Sequence, residues 1–188
     1  VENPRYTGTH VFDNDFASFT LGAEARGVCR VVCFDPRHNI TLAEMAPTEI
    51  EGVLRTFSRQ FQDLASIPGM DYVMLFENKG KEIGVSNPHP HGQIYATDFV
   101  PRIPWTMYES ATTFLAQEAR CLFCEVLAQE LADGSRVVAR NHHFTAFVPP
   151  FARFKYEVHI MPLRHMPFIS WLDANELASL AEITSKVL

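Results

Sequence analysis

The stretch Ser86-Asn87-Pro88-His89-Pro90-His91-Gly92-Gln93 sets two imidazoles two residues apart, each preceded by a proline. Proline fixes its own φ and drives the residue before it out of the α region, so residues 87–91 are predicted to run extended. In extended backbone alternate side chains face the same way, which puts His89, His91 and Gln93 on one side. A neutral imidazole is a competent nucleophile near pH 7 once a carbonyl holds the proton on its other nitrogen, and it both attacks phosphorus and leaves it readily. His91 is therefore the candidate nucleophile, and Gln93 a donor to a non-bridging phosphate oxygen as charge builds there. Upstream, Asn78, Gly80, Gly84 and Ser86 lie in a loop able to turn backbone N–H groups toward a phosphate. Gly92 is expected to leave room for a ligand to approach closely.

The elements around this stretch repeat. Strands are predicted at about 28–34, 72–77 and 92–98, where β-branched and aromatic residues sit between turn residues. A helix fits about 47–66, with Thr48 as N-cap and Ile50, Val53, Leu54, Phe57 and Phe61 as its apolar stripe. Further on come a helix at about 121–132, strands near 135–140, 144–148 and 156–161, and a last helix capped by Asp173. "DNDFASF" (13–19) matches "NHHFTAF" (141–147), and "CFDPRHNITLAEM" (33–45) matches "IMPLRHMPFISWL" (160–172). Order, spacing and a following amphipathic helix agree, which predicts a duplicated α+β unit: a first copy over 1–110 and the start of a second over 111–188.

The register of the copies groups the metal-binding side chains. Cys121 and Cys124 form a C-x-x-C that precedes His165, while His38 precedes His89 by 51 residues. One complete unit would thus read C-x-x-C, His, His, a tetrahedral thiolate and imidazole set suited to zinc. Taken alone, Cys121 and Cys124 are as well read as two apolar thiols opening a core helix; the repeat and His165 tip them toward zinc. The first copy's C-x-x-C would fall before Val1 and the second copy's last His at about residue 216, so the sequence reads as part of a longer chain. Cys29 and Cys33 share one face of an apolar strand and read as core thiols, and His10, His142, His143 and His159 as structural or solvated.

The composition is that of a globular domain, with 188 residues, 47% hydrophobic and 20% charged. A net charge of -6 without clustered Lys and Arg argues against a nucleic-acid partner. No run approaches a membrane span and the start lacks a signal-peptide pattern, so a cytoplasmic protein with reduced thiols is expected.

"FENKG…GVSNPHPHGQIYA", "NPRYTGTHVFDNDFASF" and "CFDPRHNITLAEM" resemble the galactose-1-phosphate uridylyltransferase family, in the transferase branch of the histidine triad superfamily. The resemblance implies two tandem histidine-triad-like repeats, antiparallel half-barrel sheets with helices packed on them, a homodimer, and transfer of UMP between UDP-glucose and galactose-1-phosphate through a uridylyl-histidine. It implies His91 as nucleophile, His38 and His89 as zinc ligands, and Gln93 and Ser86 at the reacting phosphate. Asn14, Asp15 and Phe16 would contact uridine and ribose, and Asn78, Gly84, Val85 and Ser86 the nucleotide phosphates. Cys121, Cys124 and His165 resemble a second zinc site of some members, where others carry an iron site. A nucleotide-sugar or dinucleotide phosphorylase is the enzymatic alternative, and a non-catalytic, zinc-stabilised nucleotide-binding module the alternative of another class.

Overall fold

The run "GVCRVVC", dense in β-branched residues, forms the inner strand β2 (Gly27–Cys33) of a four-stranded antiparallel sheet in the computed structural model, which describes residues 4–83, 85 and 87–188. β1 (His10–Asp13) pairs on one side of β2 and β4 (His91–Thr97) on the other, with β3 (Tyr72–Phe76) beyond β4. Along β4 the residues Gly92, Ile94 and Ala96 are buried while His91, Gln93 and Tyr95 are only partly so, the alternation of a sheet packed on one face.

The buried face rests on α1 (Pro47–Ala65), whose Ile50, Val53 and Leu64 are buried. The helix starts at 47 as the sequence suggested, but its cap lies two residues before the expected one. Ala46, not Thr48, is the N-cap, because Pro47 presets the first helical φ and Glu49 Oε2 accepts from the Ala46 N–H at 2.8 Å. Gly92 has a packing role rather than the ligand clearance expected of it. A Cβ there would lie 2.9 Å from Phe34 Cζ, Phe57 Cζ and the Phe76 carbonyl, so the missing side chain lets β4 close onto the aromatic pair Phe34 and Phe57.

The chain divides into two compact units, Val1–Val100 and Pro101–Leu188. The division falls just ahead of α2 (Arg102–Glu118), a helix that packs with α3 (Leu122–Asp133) in the second unit. Proline in the first turn is compatible with a helix, and Ile103, Met107, Ala111 and Leu115 recur every four residues along α2, though none of its residues is buried. The second unit continues with β5 (Val137–Arg140), β6 (Phe144–Phe147), β7 (His159–Pro162) and α4 (Ala174–Val187). Its sheet is antiparallel in the order β5-β6-β7, and Phe144 and Ala146 of β6 form a core with Ile183 of α4. Asp173 caps α4 as expected, its side chain accepting from the Glu176 N–H.

An α+β chain with antiparallel sheets is what the sequence predicted. The matched segments differ locally: Phe144 sits inside β6 and is 3% exposed, whereas Phe16 follows β1 outside any strand and is 92% exposed. Among the described residues no helix is long and apolar enough to cross a membrane.

Candidate active site

The free face of the first sheet is the floor of the site. Cross-strand pairing sets His10, Cys33 and His91 in one row and Phe12, Val31 and Gln93 in the next, so the six share a face. They line a cleft of about 1210 Å³, with Tyr6, Asn14, Asp15, Phe16, His38 and His89 among its walls. Asn14 is hooked to β2 by its N–H to the Cys29 carbonyl at 2.9 Å, and its Oδ1 accepts from the Phe16 N–H at 2.9 Å. That turn presents Phe16 and Asp15 at the mouth.

His89, His91 and Gln93 do face one way, as the proline spacing requires. His91 Nδ1 lies 2.7 Å from the His89 carbonyl oxygen. A carbonyl only accepts, so Nδ1 carries the proton and Nε2 keeps its lone pair. His89 is buried, and its Nδ1 stands 2.9 Å from Nδ1 of His38. Burial, with the imidazoles of His38 and His91 close by, lowers the His89 pKa and keeps the ring neutral, the form that binds a metal. His38 is held by the residue before it: Arg37 donates from Nε and Nη2 to the Asp35 carboxylate at 2.7 and 2.8 Å and from Nη2 to Glu49 at 2.5 Å. The guanidinium in turn holds the Asp35 carboxyl below the usual range.

On the other side of the Pro-His segment, Asn78, Lys79, Gly80, Lys81 and Val85 line a smaller cleft of about 310 Å³ together with His89 and His91. Gly80 has φ +108°, a conformation that side chains rarely adopt. Gly84 and Ser86, both expected in this loop, lie outside the described residues. Burial pushes the Glu77 carboxyl up, against the pull of Lys79 and His91.

In the second unit Cys121, Cys124 and His165 converge, with one ligand atom of each within 4.8 Å of the others and Cys124 Sγ 3.2 Å from His165 Nδ1. Cys121 is the N-cap of α3. Burial opposes ionising either thiol. Even so, Cys124, through its backbone and its thiol, and the Phe123 backbone hydrogen-bond to the Cys121 sulfur and hold Cys121 below the ordinary thiol range, while Cys124 is pushed up beside it. Two sulfurs and an imidazole nitrogen are a donor set that fits zinc, so this group could bind a metal ion.

Tyr6, His10, Phe12 and Val31 were missed as cleft residues. The signal available was the i, i+2 pair His10 and Phe12 in "HVFD", a strand of only four residues. Cys33 is buried as expected, yet it lies in the row between His10 and His91.

The fold matches a solved uridylyltransferase with a TM-score of 0.91 at 29% identity, covering 96% of this chain and 62% of that one. An ADP-glucose phosphorylase from Arabidopsis thaliana shares the fold at a TM-score of 0.87 and 22% identity, over 96% of this chain and 59% of that one. Residues 21–101 match the family described as galactose-1-phosphate uridyl transferase, N-terminal domain. Relatives named galactose-1-phosphate uridylyltransferase include one from Thermotoga maritima, 38% identical over 87% of this chain and 51% of its own length. Another, from Rattus norvegicus, is 34% identical over 99% of this chain and 52% of its own length. The chain belongs to the galactose-1-phosphate uridylyltransferase family, and it spans about half the length of the curated relatives it matches.

Proposed function

We propose that this chain carries the nucleophile of a ping-pong transfer of UMP between UDP-glucose and galactose-1-phosphate. His91 Nε2 attacks the α-phosphorus of UDP-glucose. The bond from phosphorus to the bridging oxygen breaks, glucose-1-phosphate leaves with that oxygen, and UMP remains on Nε2. A phosphate oxygen of galactose-1-phosphate then attacks the same phosphorus, the P–N bond breaks, and UDP-galactose departs with His91 restored. The observation that carries this reading is the 2.7 Å contact from His91 Nδ1 to the His89 carbonyl, which leaves Nε2 as the free nitrogen on the cleft floor.

Gln93, in the neighbouring row of the floor, donates to a non-bridging oxygen in this reading. Asn14, Asp15 and Phe16 hold uridine and ribose, and Asn78, Gly84, Val85 and Ser86 the phosphates. Zinc is part of the proposal, with His38 and His89 as two ligands of one ion and Cys121, Cys124 and His165 as three of another; its chemistry is to brace these segments. The two units are read as copies of one histidine-triad-like element, and the active form as a cytoplasmic homodimer, as the family resemblance implies.

The test is intact mass after mixing with UDP-glucose and quenching in base, beside His91→Gly. The expected result is a UMP-sized gain in the parent alone, cleared by galactose-1-phosphate. Clearance by inorganic phosphate instead would make the enzyme a phosphorylase. No gain in a zinc-replete, full-length form would leave a binding module.

A further inference from the structure

Tyr6 stands among three groups, the Asp35 carbonyl, the His89 ring and the Cys33 thiol, which also hydrogen-bonds its hydroxyl. Its hydroxyl oxygen lies 2.9 Å from the carbonyl oxygen of Asp35 and 2.8 Å from Nε2 of His89. A carbonyl oxygen accepts and never donates, and a phenol has one proton to give. That proton goes to Asp35, since without it two oxygens would face each other 2.9 Å apart beside a buried residue. The phenol oxygen is then an acceptor toward His89, so Nε2 of His89 must hold the ring proton. Asp35 cannot swing away to relieve this, because its carboxylate is gripped by the Arg37 side chain and accepts from the Arg37 backbone N–H at 2.9 Å.

We infer that Tyr6 is a positioning residue: it fixes His89 as the Nε2–H tautomer, which leaves Nδ1 unprotonated and directed at Nδ1 of His38. The inference rests on the reading of His38 and His89 as ligands of one metal ion. Two imidazole nitrogens 2.9 Å apart need either one proton or one cation between them. With its Nε2 proton committed to Tyr6, His89 offers a lone pair to either. The effect extends to the nucleophile, because the His89 carbonyl is the acceptor that sets the tautomer of His91. Tyr6 also stacks on His10 with ring centroids 5.1 Å apart, and His10 on Phe12 at 5.6 Å, so the same phenol belongs to the aromatic wall of the cleft. Ligating histidines are held in this way by an outer partner on the second nitrogen, and losing such a partner weakens metal binding by about 10–100-fold.

The experiment uses the 15N-labelled chain. Long-range proton–nitrogen correlation spectra of the imidazoles report each tautomer directly, with His89→Gln identifying the ring. In the parent, His89 is expected to show a protonated Nε2 and a bare Nδ1. In Tyr6→Phe, which keeps the ring stacked on His10, the two tautomers should mix, and zinc titrated against the His38 and His89 signals should bind about 10–100-fold more weakly. Zinc uptake at Cys121, Cys124 and His165 should not change. An Nδ1–H ring in the parent overturns the inference without any variant, so a Tyr6→Phe chain that fails to fold does not shelter it. An unaltered tautomer in a folded Tyr6→Phe also overturns it. Adduct formation from UDP-glucose is not read here, so the wrong tautomer in a chain that is uridylylated sinks this inference alone. The expected tautomer in a chain that takes no UMP sinks the transfer reading alone.

Discussion

In each unit an arginine stands immediately before the candidate ligand histidine and reaches a glutamate twelve residues on, at the third position of the next helix: Arg37 to Glu49 of α1, and Arg164 to Glu176 of α4. Both glutamates also accept the N–H of their helix N-cap, Ala46 in one unit and Asp173 in the other. One device therefore ties the histidine loop to the start of the helix that follows, which supports reading the units as copies. They differ in how the load is shared. Arg37 divides itself between the nearly buried Asp35 and Glu49, whose side chain is 35% exposed. Arg164 gives both of its carboxylate contacts to Glu176, whose side chain is 6% exposed and whose carboxyl is held down to about 2 by the guanidinium. Arg37 thus holds a second carboxylate, whereas Arg164 puts its remaining contact on the Trp171 carbonyl at 3.2 Å.

The largest expected effect separates the units by chemistry. His91→Gly should slow formation of the uridylyl adduct by at least about 10³-fold, because His10, the other imidazole in that row of the floor, lies two strands away across Cys33. His142→Ala, at the β5–β6 turn of the second unit, should leave the rate within about twofold. Quenched-flow labelling with UDP-glucose measures both, and a slow His142→Ala would mean that the second unit takes part in the chemistry.

Next comes the metal. Cys124→Ser should weaken zinc binding at the second unit by on the order of 100-fold, since a hydroxyl replaces one of the two thiolates. Competition against a chromophoric chelator reads this out. Unchanged affinity would return Cys121 and Cys124 to the role of plain core thiols.

These effects follow from features with unequal legibility. His89, His91 and Gln93 could be placed on one face from sequence because two prolines leave the backbone no choice, a local constraint. His165 could be matched to Cys124 because the repeat supplies a register that a single copy lacks. Tyr6, Val31 and Cys33 could not be found that way. They enter the cleft through pairing between strands far apart in sequence, and a four-residue β1 gives almost no period to detect. Gly92 was misread for a related reason: its neighbours Phe34 and Phe57 come from elsewhere in the chain. α2 escaped because Pro101 and Pro104 at its start read as loop, although Ile103, Met107, Ala111 and Leu115 recur every four residues.

The smallest effects test the comparison itself. Glu176→Gln should cost about 2 kcal/mol at neutral pH, below the 3–5 kcal/mol of a fully buried pair because Arg164 is half exposed. Glu49→Gln should cost under about 1 kcal/mol, since Arg37 keeps Asp35. Urea unfolding at pH 7 ranks the two, and equal costs would mean that the arginines share their load alike. Acid gives a second reading. The Glu176 carboxyl lies near 2 in the folded chain and near 4.3 in an unfolded one, so its contribution is whole above about pH 5 and is lost as pH falls toward 2. The gap between the parent and Glu176→Gln should therefore close over that window. A gap that stays constant down to pH 2 would show that Glu176 acts through the packing and capping of α4 rather than through its charge on Arg164.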